Sequence, residues 1–185
     1  SVTAITDPAL SPPLVGGSGF THNGVESWLA QPTGNLVGDF VATFGEDRLD
    51  HFSIHHYNDC GNAKLGKLAD YLAEVRESLN AAALSQTPMT ISEWNIGLGS
   101  DCGHDFYTNA QTAAYVGASM ALMTEPELNI QRAHFYSSAP SMALFSQDEQ
   151  TLEFSVNPSA WAFRANAMVD NGELLDTSIC DAAGN

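Results

Sequence analysis

Three stretches of this 185-residue chain end in side chains able to do acid–base or nucleophilic chemistry. LDHFSIHHY (49–57) closes on His55, His56 and Tyr57, TISEWN (90–95) on Glu93, Trp94 and Asn95, and QRAHFYSS (131–138) carries His134, Tyr136 and Ser137. A carboxylate at the mouth of an apolar, β-branched run is costly to desolvate unless it is hydrogen-bonded. A neighbouring tyrosine hydroxyl can hold it ionised and aimed, as a nucleophilic carboxylate requires. Glu93 therefore has two readings: a structural acid capping a loop amide, or the nucleophile of a catalytic apparatus with Tyr57 orienting it. The presence of His55, Tyr57 and Tyr136 at the ends of neighbouring runs favours the second.

Those side chains need elements to aim them. The apolar pattern alternates short strands with longer helical stretches. Strands are predicted at 13–17 (PLVGG), 49–57, 88–95 and 131–138. Helices are predicted at about 36–44, 65–84, 109–125 and 159–172. In the second of these Leu65, Leu68, Leu72, Val75 and Leu79 line one face. Asn109 is placed to cap the third, and Gly172 to end the fourth. Met120, Leu122 and Met123 read as core. Alternate strand residues share a face, so His55 and Tyr57 point together with His56 opposite. By the same count Ile91, Glu93 and Asn95 share a side, Ile91 in the interior beneath Glu93 and Trp94 packed behind.

This order means α/β, with crossovers long enough for parallel pairing. Four strand–helix units are half of an eight-unit barrel, which typically takes about 250 residues. An open doubly wound sheet of unrelated function is the alternative, but no Gly-x-Gly-x-x-Gly or phosphate loop follows any strand. VGGSGF (15–20) resembles one only loosely, and its glycines read more simply as a tight exit from a strand. In either fold the sites lie at the C-terminal strand ends.

Composition narrows the partners. With 44% hydrophobic residues the chain can bury a core, and its net charge of −16 repels phosphate backbones and anionic lipid headgroups. Neither nucleic acid nor a membrane is expected as a partner. Acidity that merely maintains solubility reads equally well. No apolar run approaches the roughly 20 residues of a membrane span. Cys60 and Cys102 occupy similar Asp-Cys-Gly settings and are expected to form a disulfide, which with six Lys+Arg in all suggests a secreted protein. Two free thiols in a reducing cytosol are the alternative. Cys180 is left for a partner outside this chain.

LDHFSIHHY, MTISEWN and AHFYSS, in that order, resemble the sixth, seventh and eighth strands of the clan A glycoside hydrolase barrels, family 39 above all. TDPALSPPLVGGSGF resembles the fourth helix, Asp-Pro loop and fifth strand of that family, and NPSAWAFRANAMV its closing helix. The resemblance implies the second half of a TIM barrel, incomplete in this chain, over residues 1–176, with 177–185 starting a linker or a following domain. It implies hydrolysis of O-glycosidic bonds with retention. Glu93 would be the nucleophile and Tyr57 would orient it; His55, Asn95 and Tyr136 would contact the sugar. It implies carbohydrate as ligand and neither metal nor organic cofactor.

One departure limits the chain. Retaining enzymes use two carboxylates about 5–5.5 Å apart, and the family's acid/base ends the fourth strand in an Asn-Glu-Pro-like motif. No such motif occurs here, and Glu26, Glu46 and Glu173 lie in helix- or loop-like settings. The remainder of the barrel, N-terminal to this chain, is the expected partner, and the chain alone is expected to be inactive. A non-catalytic carbohydrate-binding or extracellular assembly component on a glycosidase-like scaffold is the alternative function.

Weaker constellations carry less. His51, His55, His56, Asp59 and Cys60 could suggest zinc, but His55 and His56 face opposite ways and Cys60 is assigned to the disulfide. Ser92 and Ser137 lack the Gly-x-Ser-x-Gly elbow of a serine hydrolase. Trp28, Trp94 and Trp161 could stack on sugars, though Trp161 reads more simply as helix packing onto the barrel.

Overall fold

The computed structural model describes residues 16, 19, 43, 49–58, 64–97, 104–137 and 144–169. Strand β1 (Phe52–Tyr57) leads through helix α1 (Leu65–Ala81) to β2 (Met89–Asn95). A short helix α2 (His104–Tyr107), helix α3 (Ala110–Met123) and a 3₁₀ turn (Pro126–Leu128) then lead to β3 (Ile130–Phe135). A hairpin of β4 (Phe145–Gln147) and β5 (Phe154–Val156) precedes the closing helix α4 (Pro158–Met168). The three long strands form one sheet in the order β1-β2-β3, every pair parallel. Helices alternate with these strands, and the whole is a partial α/β barrel. The strand predicted at 13–17 is represented by one parallel bridge from Gly16 to His51, and Thr43 is helical within the predicted 36–44 stretch.

Helix α1 buries Leu68, Tyr71, Leu72, Val75, Arg76 and Leu79, the three- and four-residue spacing of a single face. Leu68, Leu72 and Leu79 are completely covered, worth about 2 kcal/mol apiece in apolar burial. They pack with Phe52, Ile54, Met89, Ile91 and Trp94 of the sheet. Arg76 stands on that apolar stripe and is held there by main-chain carbonyls. Its guanidinium donates to the carbonyls of Leu128 at 3.0 Å, Thr87 at 3.0 Å and Ser85 at 3.4 Å. It therefore ties α1 to the turns that launch β2 and β3. Burial lowers its pKa from the ordinary arginine value.

The ends of the helices follow from local chemistry. At the C-terminus of α1, Ala83 sits at φ 63°. Leu84 N–H donates to Leu79 O at 2.8 Å and Ala83 N–H to Asn80 O at 3.2 Å. These are the two bonds of a Schellman motif, with alanine where glycine is usual. Asn109 caps α3 as predicted, its side chain accepting from Thr112 N–H at 2.9 Å. Met123 is buried and Met120 and Leu122 pack against the core.

Two expectations change. Ile91 faces the helices with its partner Ile54, whereas Glu93 pairs with His55. Ser92 is an extra residue at this point, a bulge that turns Glu93 to the face opposite Ile91. Ser92 Oγ lies 2.7 Å from Ser53 Oγ and donates to Ile54 O at 3.2 Å. The alternation count placed Glu93 and Tyr57 on a common face correctly, but not Ile91. Trp161 does not pack onto the barrel: it is 53% exposed, with the Arg164 guanidinium 5.3 Å above its ring. Phe163 takes the inward place, 5.2 Å from Phe135 and 6.2 Å from Trp94 between ring centres. The hairpin is anchored beside the end of β3 by Leu144 N–H to Ser137 O at 3.3 Å.

No helix among the described residues is long and apolar enough to cross a membrane. Cys60, Cys102 and Cys180, Gly172 and the boundary expected at 176/177 lie outside the described residues.

Candidate active site

Parallel pairing brings the tips of β1 and β2 into line: His55 opposite Glu93, Tyr57 opposite Asn95. Tyr57 donates its hydroxyl hydrogen to Glu93 Oε2 at 2.7 Å, the usual length of a well-formed O–H···O hydrogen bond. His55 Nδ1 lies 3.5 Å from the same oxygen, an ion pair whenever the imidazole is protonated. The Glu93 side chain is 37% exposed and that of His55 22%, so the carboxylate is partly open while its holders are more covered. Tyr57 packs against a second apolar cluster of Ile96, Tyr107 and Tyr115. That burial, then the hydrogen bond and negative charge of Glu93, raise the Tyr57 pKa well above the usual phenol value; Tyr136 and Tyr107 add smaller contributions. The phenol stays protonated and can only donate toward Glu93.

Tyr136 forms the adjoining wall. Its ring meets Tyr57 edge-on, 6.5 Å between centres at 84°, and it is 46% exposed. Asn95 holds it from below, donating through Nδ2 to Tyr136 O at 2.5 Å while Oδ1 accepts from Ile96 N–H at 2.6 Å. Tyr136 N–H also donates to Trp94 O at 3.0 Å, so the β2 tip fixes the chain leaving β3. Behind the site Asn58 donates to the Tyr115 hydroxyl at 2.6 Å. Burial pushes the Tyr115 phenol up to about 12, against the lowering effect of the neighbouring Ser119 hydroxyl and of the Asn58 amide.

The structure thus brings Glu93, Tyr57, His55 and Tyr136 together and places Asn95 among their supports. Asn95 is 0% exposed, so it is set to position Tyr136 and has no open surface toward a ligand. His134 stays on the exposed part of β3. His56 turns away, as strand parity requires, and stacks on Tyr71 of α1 at 5.3 Å. Trp94 is buried behind the site against Phe135. Among the described residues no three His, Cys, Asp or Glu side chains gather as a metal site would need. Sequence reasoning missed Gly19, which lies against the His55 ring; the repeated glycines of VGGSGF were the available signal.

Known structures share this arrangement of strands and helices. A family 39 β-xylosidase from Caulobacter crescentus is 18% identical, with a TM-score of 0.57 over 87% of this chain and 33% of that one. A monomeric β-xylosidase from Caulobacter crescentus CB15 is 17% identical, with a TM-score of 0.58 over 87% of this chain and 34% of that one. A family 51 α-L-arabinofuranosidase from Bifidobacterium longum is 17% identical, with a TM-score of 0.57 over 75% of this chain and 33% of that one. The chain therefore spans about a third of the length of these enzymes, and what it shares with them is the fold of a glycoside hydrolase barrel. No protein-family model and no curated relative matches it.

Proposed function

We propose that this chain is the C-terminal half of a retaining glycoside hydrolase barrel in which Glu93 is the nucleophile. The observation that supports the reading most is the 2.7 Å bond from the Tyr57 hydroxyl to Glu93 at adjoining parallel-strand tips, in a fold like that of β-xylosidases and arabinofuranosidases.

In this reading the contacts with Tyr57 and His55 both fall on Oε2, and Oε1 attacks the anomeric carbon. A covalent glycosyl-enzyme forms as the bond to the leaving oxygen breaks. That oxygen takes a proton from an acid/base carboxyl group in the preceding half of the barrel, about 5–5.5 Å from Glu93. The same group then deprotonates the water that releases the sugar. Tyr57 holds the carboxylate through attack and return. His55 and the exposed Tyr136 ring line the sugar subsite, and Asn95 serves it by fixing Tyr136. A neutral carbohydrate suits a chain with a net charge of −16, and the chemistry calls for no metal or organic cofactor. A secreted protein with a Cys60–Cys102 disulfide belongs to the same proposal.

Glu93→Gln in the full-length protein tests it. Removing a nucleophile from a catalytic unit costs many orders of magnitude, so hydrolysis of a chromogenic aryl glycoside should fall at least about 10⁴-fold with the fold retained. Rates like those of the unaltered protein would remove Glu93 from the chemistry. Sugar binding without turnover by the unaltered protein would favour the non-catalytic alternative.

A further inference from the structure

His55 touches Glu93 through one edge of its ring, and its opposite edge meets Gly19. A β-carbon at residue 19 would fall inside the contact distance of His55 Nε2, and would lie 3.0 Å from Cδ2 and 3.2 Å from Cε1. The imidazole is thus confined between the Glu93 carboxylate, 3.5 Å from Nδ1, and the α-carbon of residue 19 beside Nε2. The three atoms nearest to such a methyl group all belong to the His55 side chain. A substituent would therefore displace the ring and could leave the backbone of β1 where it is. The same device recurs three residues earlier, where a β-carbon on Gly16 would collide with the His51 ring, its Cδ2 at 2.8 Å. Two glycines three apart face two histidines four apart, and the second of those histidines touches the carboxylate.

We propose that Gly19 is a positioning residue of the site: with no side chain, it closes on the His55 imidazole and keeps Nδ1 turned toward Glu93. What the ring then contributes to turnover rests on the reading of Glu93 as nucleophile; the confinement of the ring does not.

A double-mutant cycle of Gly19→Ala and His55→Ala in the full-length protein tests this. Activity on a chromogenic aryl glycoside and thermal unfolding would be measured, with nitrogen NMR of isotopically labelled histidines. Gly19→Ala should move the His55 ring resonances and leave those of His51, while Gly16→Ala does the reverse. It should lower kcat at least about 10-fold with a smaller change in KM, yet cost less than about twofold once His55 is alanine. A Gly19→Ala protein that folds only when His55 is also alanine would support the proposal through stability. Equal losses in both backgrounds, failure to fold in both, or unchanged His55 resonances would overturn it. If Glu93→Gln hydrolysed normally while Gly19→Ala still moved the His55 signals, the nucleophile reading would fail and the positioning would stand.

Discussion

Tyr57 does for Glu93 what a charged partner would do at greater cost in a half-buried place. A phenol needs less desolvation than an ammonium or guanidinium group, and still supplies one directional bond to the carboxylate. Its folded-state pKa lies above the ordinary 10.0, so its contribution to stability is fully present below pH 10 and is lost as pH rises through the raised value. Tyr115, pushed up to about 12, behaves in the same sense. In an ultraviolet titration of tyrosinate, Tyr57→Phe and Tyr115→Phe should each remove one proton from those that ionise late, together with alkaline unfolding. Tyr57→Phe should leave the protein folded and reduce kcat/KM roughly 10- to 100-fold, the worth of one hydrogen bond to a charged group. Activity within twofold of the unaltered protein would mean that Glu93 needs no such anchor.

Among the elements, α1 and β2 carry the most consequential local choices. Ala83 adopts φ 63° to close the Schellman motif after α1, a conformation that costs an L-residue about 1–2 kcal/mol. Glycine has no such penalty but gains freedom in the unfolded chain. Ala83→Gly should therefore stabilise the protein by about 0.5–1 kcal/mol in denaturant unfolding; a loss would mean that the Ala83 methyl group has packing of its own. The strands, the apolar face of α1 and the Asn109 cap were legible because hydrophobic period and cap chemistry are local signals. The bulge was not: Ser92 and Glu93 are both polar, and alternation carries no mark for an extra residue. Asn95 was legible as a strand-tip residue but not as a support, since its bond to Tyr136 O joins positions 41 apart. The hairpin strands, three residues each, are too short to show a period. Arg76 interrupts an otherwise apolar stripe, and only the carbonyls gathered around it from other elements explain a buried cation there.

At the scale of the molecule, β1 and β2 are well covered while β3 is exposed along most of its length. Tyr136, Phe154, Val156 and Trp161 add exposed apolar area near β3 and on α4. In the proposed barrel the first four strand–helix units of the same polypeptide pair with β3 and bring the second carboxylate to Glu93. The family resemblance was legible in the order of three short motifs; the tertiary fold then matched the barrels those motifs suggested. What the motifs could not convey is which contacts fix them, Gly19 against His55 and Asn95 under Tyr136. The most direct measurement is covalent trapping: the full-length protein is treated with a reactive 2-deoxy-2-fluoro glycoside and its peptides are sequenced by mass spectrometry. The sugar should be found esterified to Glu93, and the unlabelled reaction should yield product of retained anomeric configuration. A label on any other carboxylate, or an inverted product, would contradict the assignment.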